Sequence, residues 1–123
     1  MKSIQAAIVD DSAEVRERLA QMLAQIDGVQ IAWQAGSVPE AVAAFHRQQP
    51  DAVILDIAMP EGSGMDVLKE IKKNAAGTTV IILTNFPLPQ LKQSYLEAGA
   101  DYFFDKSLEF KKVDAILRLL TAS

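Results

Sequence analysis

Few side chains in this sequence can do covalent or metal chemistry. There is no cysteine and a single histidine, His46, so disulfides, thiolate nucleophiles and the usual zinc constellations are excluded together. Any metal must be held by oxygen. Adjacent carboxylates stand at Asp10 and Asp11, a third at Asp56, a hydroxyl at Thr84 and an ammonium at Lys106, each at or just beyond the end of a short apolar run. Three carboxylates gathered at one place repel one another, and the arrangement becomes reasonable when a hard divalent cation such as Mg²⁺ sits among them. The spare carboxylate can then serve as a nucleophile. A lysine and a hydroxyl at the same rim are what a transferred phosphoryl group needs, because its transfer depends chiefly on positioning and charge neutralisation. The chemistry points to phosphoryl transfer onto a carboxylate.

The elements that must position these groups are legible from hydrophobic pattern. Short runs rich in Val and Ile, at Ile4 to Val9, Val29 to Ala35, Ala52 to Leu55, Val80 to Leu83 and Tyr102 to Phe104, alternate with longer segments of helical period. The runs are mostly apolar at every position, as strands covered on both faces require. Val15, Leu19, Met22, Leu23 and Ile26 form one helical stripe, and Val38, Ala41, Val42 and Phe45 a second. Met65, Leu68 and Ile71 form a third, and Val113, Ile116, Leu117 and Leu120 a closing one, with a fourth helix at about Gln90 to Ala98. Ser12 can cap the first helix, and Asp27-Gly28, Ala76-Gly77 and Ala98-Gly99 punctuate helix ends. Right-handed crossovers then give a doubly wound α/β domain of (βα)5 type, whose site belongs outside the carboxyl ends of its strands. Asp10, Asp11, Asp56, Thr84 and Lys106 all fall there.

Composition narrows the possibilities further. A chain of 123 residues with 50% hydrophobic and 23% charged residues suits one compact domain over 1–123, without repeat or linker. Its 16 acidic against 12 basic side chains leave a net charge of −4, which gathers no nucleic acid. The longest apolar runs fall far below the ~20 residues of a spanning helix, and Ala6 to Val9 is too brief for a signal peptide. The expected location is the cytoplasm.

These residues and their spacing resemble the receiver domain of two-component response regulators over nearly the whole chain. The resemblance rests on Asp10-Asp11 after the first strand, on the segment Leu55-Asp56-Ile57-Ala58-Met59-Pro60-Glu61-Gly62-Ser63-Gly64, on Thr84, and on Ala98-Gly99-Ala100-Asp101 leading to Lys106. It implies a flavodoxin-like three-layer sandwich with parallel strand order 2-1-3-4-5. It further implies that Asp56 is the phosphoacceptor, that Asp11, Asp56 and the backbone carbonyl of Ala58 bind Mg²⁺ (or Mn²⁺), and that Asp10 supports the ion through water. Thr84 and Lys106 would hold phosphoryl oxygens, and Phe103 would be the aromatic switch. The implied partners are a sensor histidine kinase or phosphotransfer protein and a downstream protein or C-terminal output domain. The readout would be the fourth helix, fifth strand and fifth helix. Such a chain is a switch rather than a metabolic enzyme, and its end at Ser123 fits a stand-alone regulator or the first domain of a longer one.

Each residue also has a plainer role. Asp10-Asp11 could cap the first helix, Asp56 could form a turn, Thr84 could be a strand residue, Lys106 a solvated charge and Phe103 core. Their concurrence at one sheet end favours the functional set. His46 reads as a surface residue and Met59 as packing. Three positions depart from the receiver pattern: Ser107, where a proline is common; Asn85, where a small residue is common; and Phe86-Pro87-Leu88-Pro89, which should delay the fourth helix. A haloacid-dehalogenase-like phosphohydrolase also uses a strand-end aspartate, but it needs a second Asp where this chain has Ala58.

Overall fold

The computed structural model describes residues 2–122. Strand β1 (Ile4–Val9) leads to helix α1 (Ala13–Ala24), β2 (Val29–Ala35) to α2 (Val38–Arg47), and β3 (Ala52–Leu55) to a two-residue hairpin, β4 (Ala58–Met59) and β5 (Gly62–Ser63). Helix α3 (Gly64–Asn74), β6 (Thr79–Thr84), α4 (Pro89–Glu97), β7 (Tyr102–Asp105) and α5 (Lys112–Ala122) complete the chain. The main sheet is wholly parallel in the order β2-β1-β3-β6-β7. With the hairpin strands left out of the count, this is the expected order 2-1-3-4-5.

Alternation along each strand divides the core into two layers. Ala6, Ile8, Ala52, Ile54, Ile81 and Leu83 face Leu19 and Leu23 of α1 and Val113 and Leu117 of α5. Ala7, Val9, Val53, Leu55, Val80 and Ile82 face Phe45 of α2, Leu68 and Ile71 of α3, and Tyr95 of α4. Because successive strand residues point to opposite faces, a run such as Ala52–Leu55 must be apolar throughout to fill both layers. All four of its residues are buried.

The two edge strands, β2 and β7, depart from that rule, and of β7 only Phe103 is buried. β2 lies at the sheet edge and only Ala35 of its seven residues is buried, so its apolar content does not reflect cover on both faces. The bulge between Ala6 and Ala7 in its pairing with β1 belongs to the same edge. The hairpin β4–β5 is also beyond the sequence pattern, since two-residue strands are too short for a period to show. Its turn carries Glu61 at φ 61° and Gly62 at φ 141°. Helix boundaries follow local chemistry: Ser12 Oγ accepts from Val15 N at 3.2 Å and Ser37 Oγ from Glu40 N at 3.3 Å. α4 has no side-chain cap and begins at Pro89, whose missing N–H is no loss at that position. His46 is exposed as expected, with Nε2 2.7 Å from Glu70 Oε2 of α3.

Leu68 is fully buried between α3 and the sheet. Leu68→Ala should therefore destabilise the fold by about 2–5 kcal/mol, read as a lower urea midpoint with unchanged slope. A loss no larger than a surface substitution would contradict this core assignment.

Candidate functional site

Asp10 follows β1 directly, Asp56 follows β3, Thr84 ends β6 and Lys106 follows β7. In a parallel sheet these ends share one edge, and the crossovers bring them together over large sequence separations. Lys106 Nζ lies 2.7 Å from Asp10 Oδ2 and 3.5 Å from Asp56 Oδ2. One oxygen each from Asp10, Asp11 and Asp56 lies within 4.8 Å of the others. Asp10 is 2% and Asp56 7% exposed, whereas Asp11 faces solvent. The acidic set therefore has two buried members and an open one.

Backbone bonds fix the buried members. Asp10 N donates to Ala35 O at 3.0 Å and Asp56 N to Val9 O at 2.9 Å, extending the sheet ladder one residue past its strands. Asp10 Oδ1 accepts from Ser12 N at 2.9 Å, and Asp56 Oδ1 accepts weakly from Ala58 N at 3.5 Å. Burial raises the pKa of Asp56 above the ordinary carboxylate value, Lys106 opposes that rise, and the neighbouring Asp10 adds to it. An anion here is thus costly without further positive charge.

Thr84 is fully buried, and its Oγ1 accepts from Phe86 N at 2.9 Å. Its carbonyl takes Lys106 N at 2.7 Å, so the hydroxyl and the ammonium hang from one pair of adjoining strands. Phe103, 6% exposed on β7, lies in the α2–α3–α4 layer with its ring centroid 6.1 Å from that of Tyr95. Met59 is buried in the same layer, in keeping with a packing role. Ala58 is exposed and opens the hairpin next to Asp56. The β7–α5 loop holds its shape without proline: Ser107 N donates to Asp105 Oδ1 at 2.8 Å and Asp105 N to Glu109 Oε1 at 2.9 Å. All peptide bonds of the described residues are trans.

Two further residues have a place at the site that their type did not announce. Tyr95 is the one buried residue of α4, and its spacing from Phe103 in sequence carries no period that would pair them. Arg16 sends Nη1 to the carbonyl oxygen of Asp10 at 2.7 Å. An arginine at the border of a helix's apolar stripe gives no signal of that kind.

The model of the response regulator receiver domain matches residues 6–118. This chain belongs to the response regulator receiver family. The receiver is 34% identical over 119 residues to the chemotaxis protein CheY of Halobacterium salinarum, covering 96% of this chain and 98% of that one. It is 34% identical over 113 residues to the probable transcriptional regulatory protein TcrX of Mycobacterium tuberculosis, covering 92% of this chain and 47% of that one. The chain thus spans about half the length of that longer relative. Among solved structures, the response regulator domain of Thermotoga maritima CheB superimposes with a TM-score of 0.84 at 29% identity, over 98% of this chain and 94% of that one. A chain of the CheX-CheY-BeF3-Mg²⁺ complex from Borrelia burgdorferi does so with a TM-score of 0.82 at 31% identity, over 96% and 87%. The acidic cluster of this receiver fits the Mg²⁺ site of the family: its donors are all oxygens, and Lys106 is the one cation within ion-pair reach among the described residues. No helix among those residues is long and apolar enough to cross a membrane.

Gly64 packs directly against the backbone of Asp56 and Ile57. A Cβ there would lie 2.6 Å from Asp56 O and 2.8 Å from Ile57 Cα, both backbone atoms that cannot swing aside. Gly64→Ala should cost about 1–3 kcal/mol through this overpacking and shift the Asp56 loop. Amide NMR shifts concentrated at residues 56–58 would bear this out, and an unperturbed loop with unchanged stability would contradict it.

Proposed function

We propose that Asp56 accepts a phosphoryl group from a phosphohistidine, on a sensor histidine kinase or phosphotransfer protein, and that the modified domain presents a changed surface. The observation that carries this reading is the single Lys106 ammonium set between Asp10 and Asp56, at 2.7 and 3.5 Å, inside a cluster of three carboxylates. A cluster short of positive charge by that margin suits an incoming cation and a nucleophilic carboxylate better than it suits a structural ion pair.

In the transfer, an Asp56 carboxylate oxygen forms the new bond to phosphorus. The bond from phosphorus to the imidazole nitrogen breaks, and its electron pair leaves with the imidazole. Lys106 moves from carboxylate to phosphoryl oxygen and neutralises charge as it develops. Thr84 supplies a hydroxyl donor to the same group, since accepting from Phe86 N leaves its O–H free to donate. Asp11, Asp56 and the Ala58 carbonyl would hold Mg²⁺, or Mn²⁺ in its place, with Asp10 supporting it through water. When bound, the ion supplies Lewis-acid charge for the phosphoryl oxygens. The domain so described takes in the whole of 1–123 and acts in the cytoplasm on a downstream protein or a C-terminal output domain, without touching nucleic acid itself.

The readout follows from what adjoins the site. Thr84 begins the loop to α4, and Phe103 lies under α4 against Tyr95. Thr84 drawn toward the phosphoryl group, with Phe103 refilling the space it leaves, biases an equilibrium between two arrangements of α4, β7 and α5. A few kcal/mol of preference moves most of the population.

Incubation with a small acyl phosphate and Mg²⁺ should label Asp56 with a phosphate more stable to acid than to base, and Asp56→Asn should abolish it. Undiminished labelling of that variant would assign the chemistry elsewhere, and absence of label from the parent would leave a constitutive binding module. With beryllofluoride and Mg²⁺, hydrogen exchange should change at Thr84, Phe103 and α4 while α2 near His46 stays constant. Phe103→Ala should uncouple α4, and an intact α4 response in that variant would rule out the switch.

A further inference from the structure

One support of the acidic pair comes from neither the sheet nor the candidate site residues. Asp10 is engaged at every polar group: its N–H by Ala35 O, its carboxylate by Ser12 N and Lys106 Nζ, and its carbonyl by Arg16 Nη1. The last of these differs in kind. β1 has ended at Val9, so Asp10 O lies beyond the sheet ladder, and it precedes α1, so it lies outside the helical ladder as well. That carbonyl belongs to the peptide unit joining Asp10 to Asp11. Whatever fixes it fixes the direction in which Asp11, the exposed member of the cluster, leaves the chain.

Arg16 is an unusual choice near a helix start. It is the fourth residue of α1, where a cation works against the positive end of the helix dipole. The neighbouring loop is shaped to admit it. A Cβ on Gly36 would lie 3.0 Å from Arg16 Nη1 and 3.5 Å from Glu40 Oε1, and Glu40 Oε1 in turn accepts from Gly36 N at 2.9 Å. The guanidinium thus sits between the β1–α1 and β2–α2 loops. The second of these is tied to the hairpin by Val38 N donating to Pro60 O at 3.3 Å.

We infer that Arg16 is a positioning residue for the divalent-cation site: by holding the Asp10 carbonyl against the Gly36 loop, it presets the Asp11 carboxylate toward Asp56. The inference deepens the proposed reading of the acidic cluster and rests on it. Its consequence has a sign opposite to that of simple electrostatics. Removal of a positive charge from beside a cation site strengthens cation binding by Coulomb's law, whereas loss of a fixed ligand direction weakens it.

The test is a Mg²⁺ titration of the full chain, followed by amide NMR shifts at residues 10–12 and 56–58, for the parent, Arg16→Ala and Arg16→Lys. Arg16→Ala should bind Mg²⁺ about ten-fold more weakly, as loss of an outer support does at other metal sites. Arg16→Lys, which keeps one donor on a long stem, should recover part of that loss. Thermal midpoints should stay close together, because Arg16 is only partly buried while Leu19 and Leu23 anchor α1 to the core. Unchanged or tighter Mg²⁺ binding by Arg16→Ala would overturn the inference. Should the parent itself bind no Mg²⁺, the reading of the cluster fails, and metal-free hydrogen exchange then judges Arg16 separately. Arg16→Ala should speed exchange at Ser12 N, which Asp10 Oδ1 holds at 2.9 Å, by several-fold. Unaltered protection there would overturn the positioning role.

Discussion

The structure is organised around a concentration of negative charge that the fold itself does not neutralise. Three carboxylates bring their oxygens within 4.8 Å of one another, and at an effective dielectric of about 20 each such pair repels by roughly 3 kcal/mol. Lys106 offsets part of this from a buried position. Burial works in the other direction and holds the Asp56 proton to higher pH than in the unfolded chain. For a carboxyl whose pKa is raised on folding, the folded state binds more protons across the interval above its ordinary value, so stability falls as pH rises through that interval. The fold therefore carries Asp56 as an anion at a cost, which a divalent cation among the carboxylates would relieve.

Holding such a cluster together requires a rigid frame, and the parallel sheet supplies one. Asp10 and Asp56 continue the hydrogen-bond ladders of β1 and β3 by one residue, which leaves their backbones little freedom. Thr84 and Lys106 are joined through the β6–β7 pairing in the same way. Repulsion between Asp10 and Asp56 cannot spread the strands that carry them, because β1 and β3 are locked by apolar layers on both faces. By contrast, the residues that the proposed switch would move sit where packing is thin. α4 starts on Pro89 without a side-chain cap, follows the exposed Phe86 and Leu88, and buries Tyr95 alone among its residues. Thin anchoring next to a rigid site is how a local charge change becomes a displacement of a helix.

Much of this was legible in the sequence, for physical reasons that differ from element to element. β1, β2 and β3 match the apolar runs residue for residue, because a turn residue or a helix cap bounds each run. β6 and β7 extend one residue further than their apolar runs at the ends that carry Thr84 and Asp105, since pairing continues where hydrophobicity stops. The exposed side of β2 was not legible, because edge position is a property of strand order rather than of the strand. Nor was the hairpin after Asp56, whose form depends on Glu61 and Gly62 at positive φ and on the close approach of Gly64 to the Asp56 backbone. The five candidate residues at the strand ends stand out by type and spacing. Arg16 and Tyr95 do not, because each makes its contact across an element boundary, where neither the helical nor the strand period pairs residues.

Thermal unfolding of the parent and Asp56→Asn with and without Mg²⁺ tests most directly whether the acidic cluster is a strained cation site. Removing the buried anion should raise the metal-free midpoint, by a gain on the order of 1 kcal/mol as at other function-bearing sites. It should also flatten the rise in midpoint that Mg²⁺ gives the parent by mass action. A metal-free Asp56→Asn less stable than the parent, with a Mg²⁺ response equal to the parent's, would show Asp56 to be a structural partner of Lys106 and contradict the account.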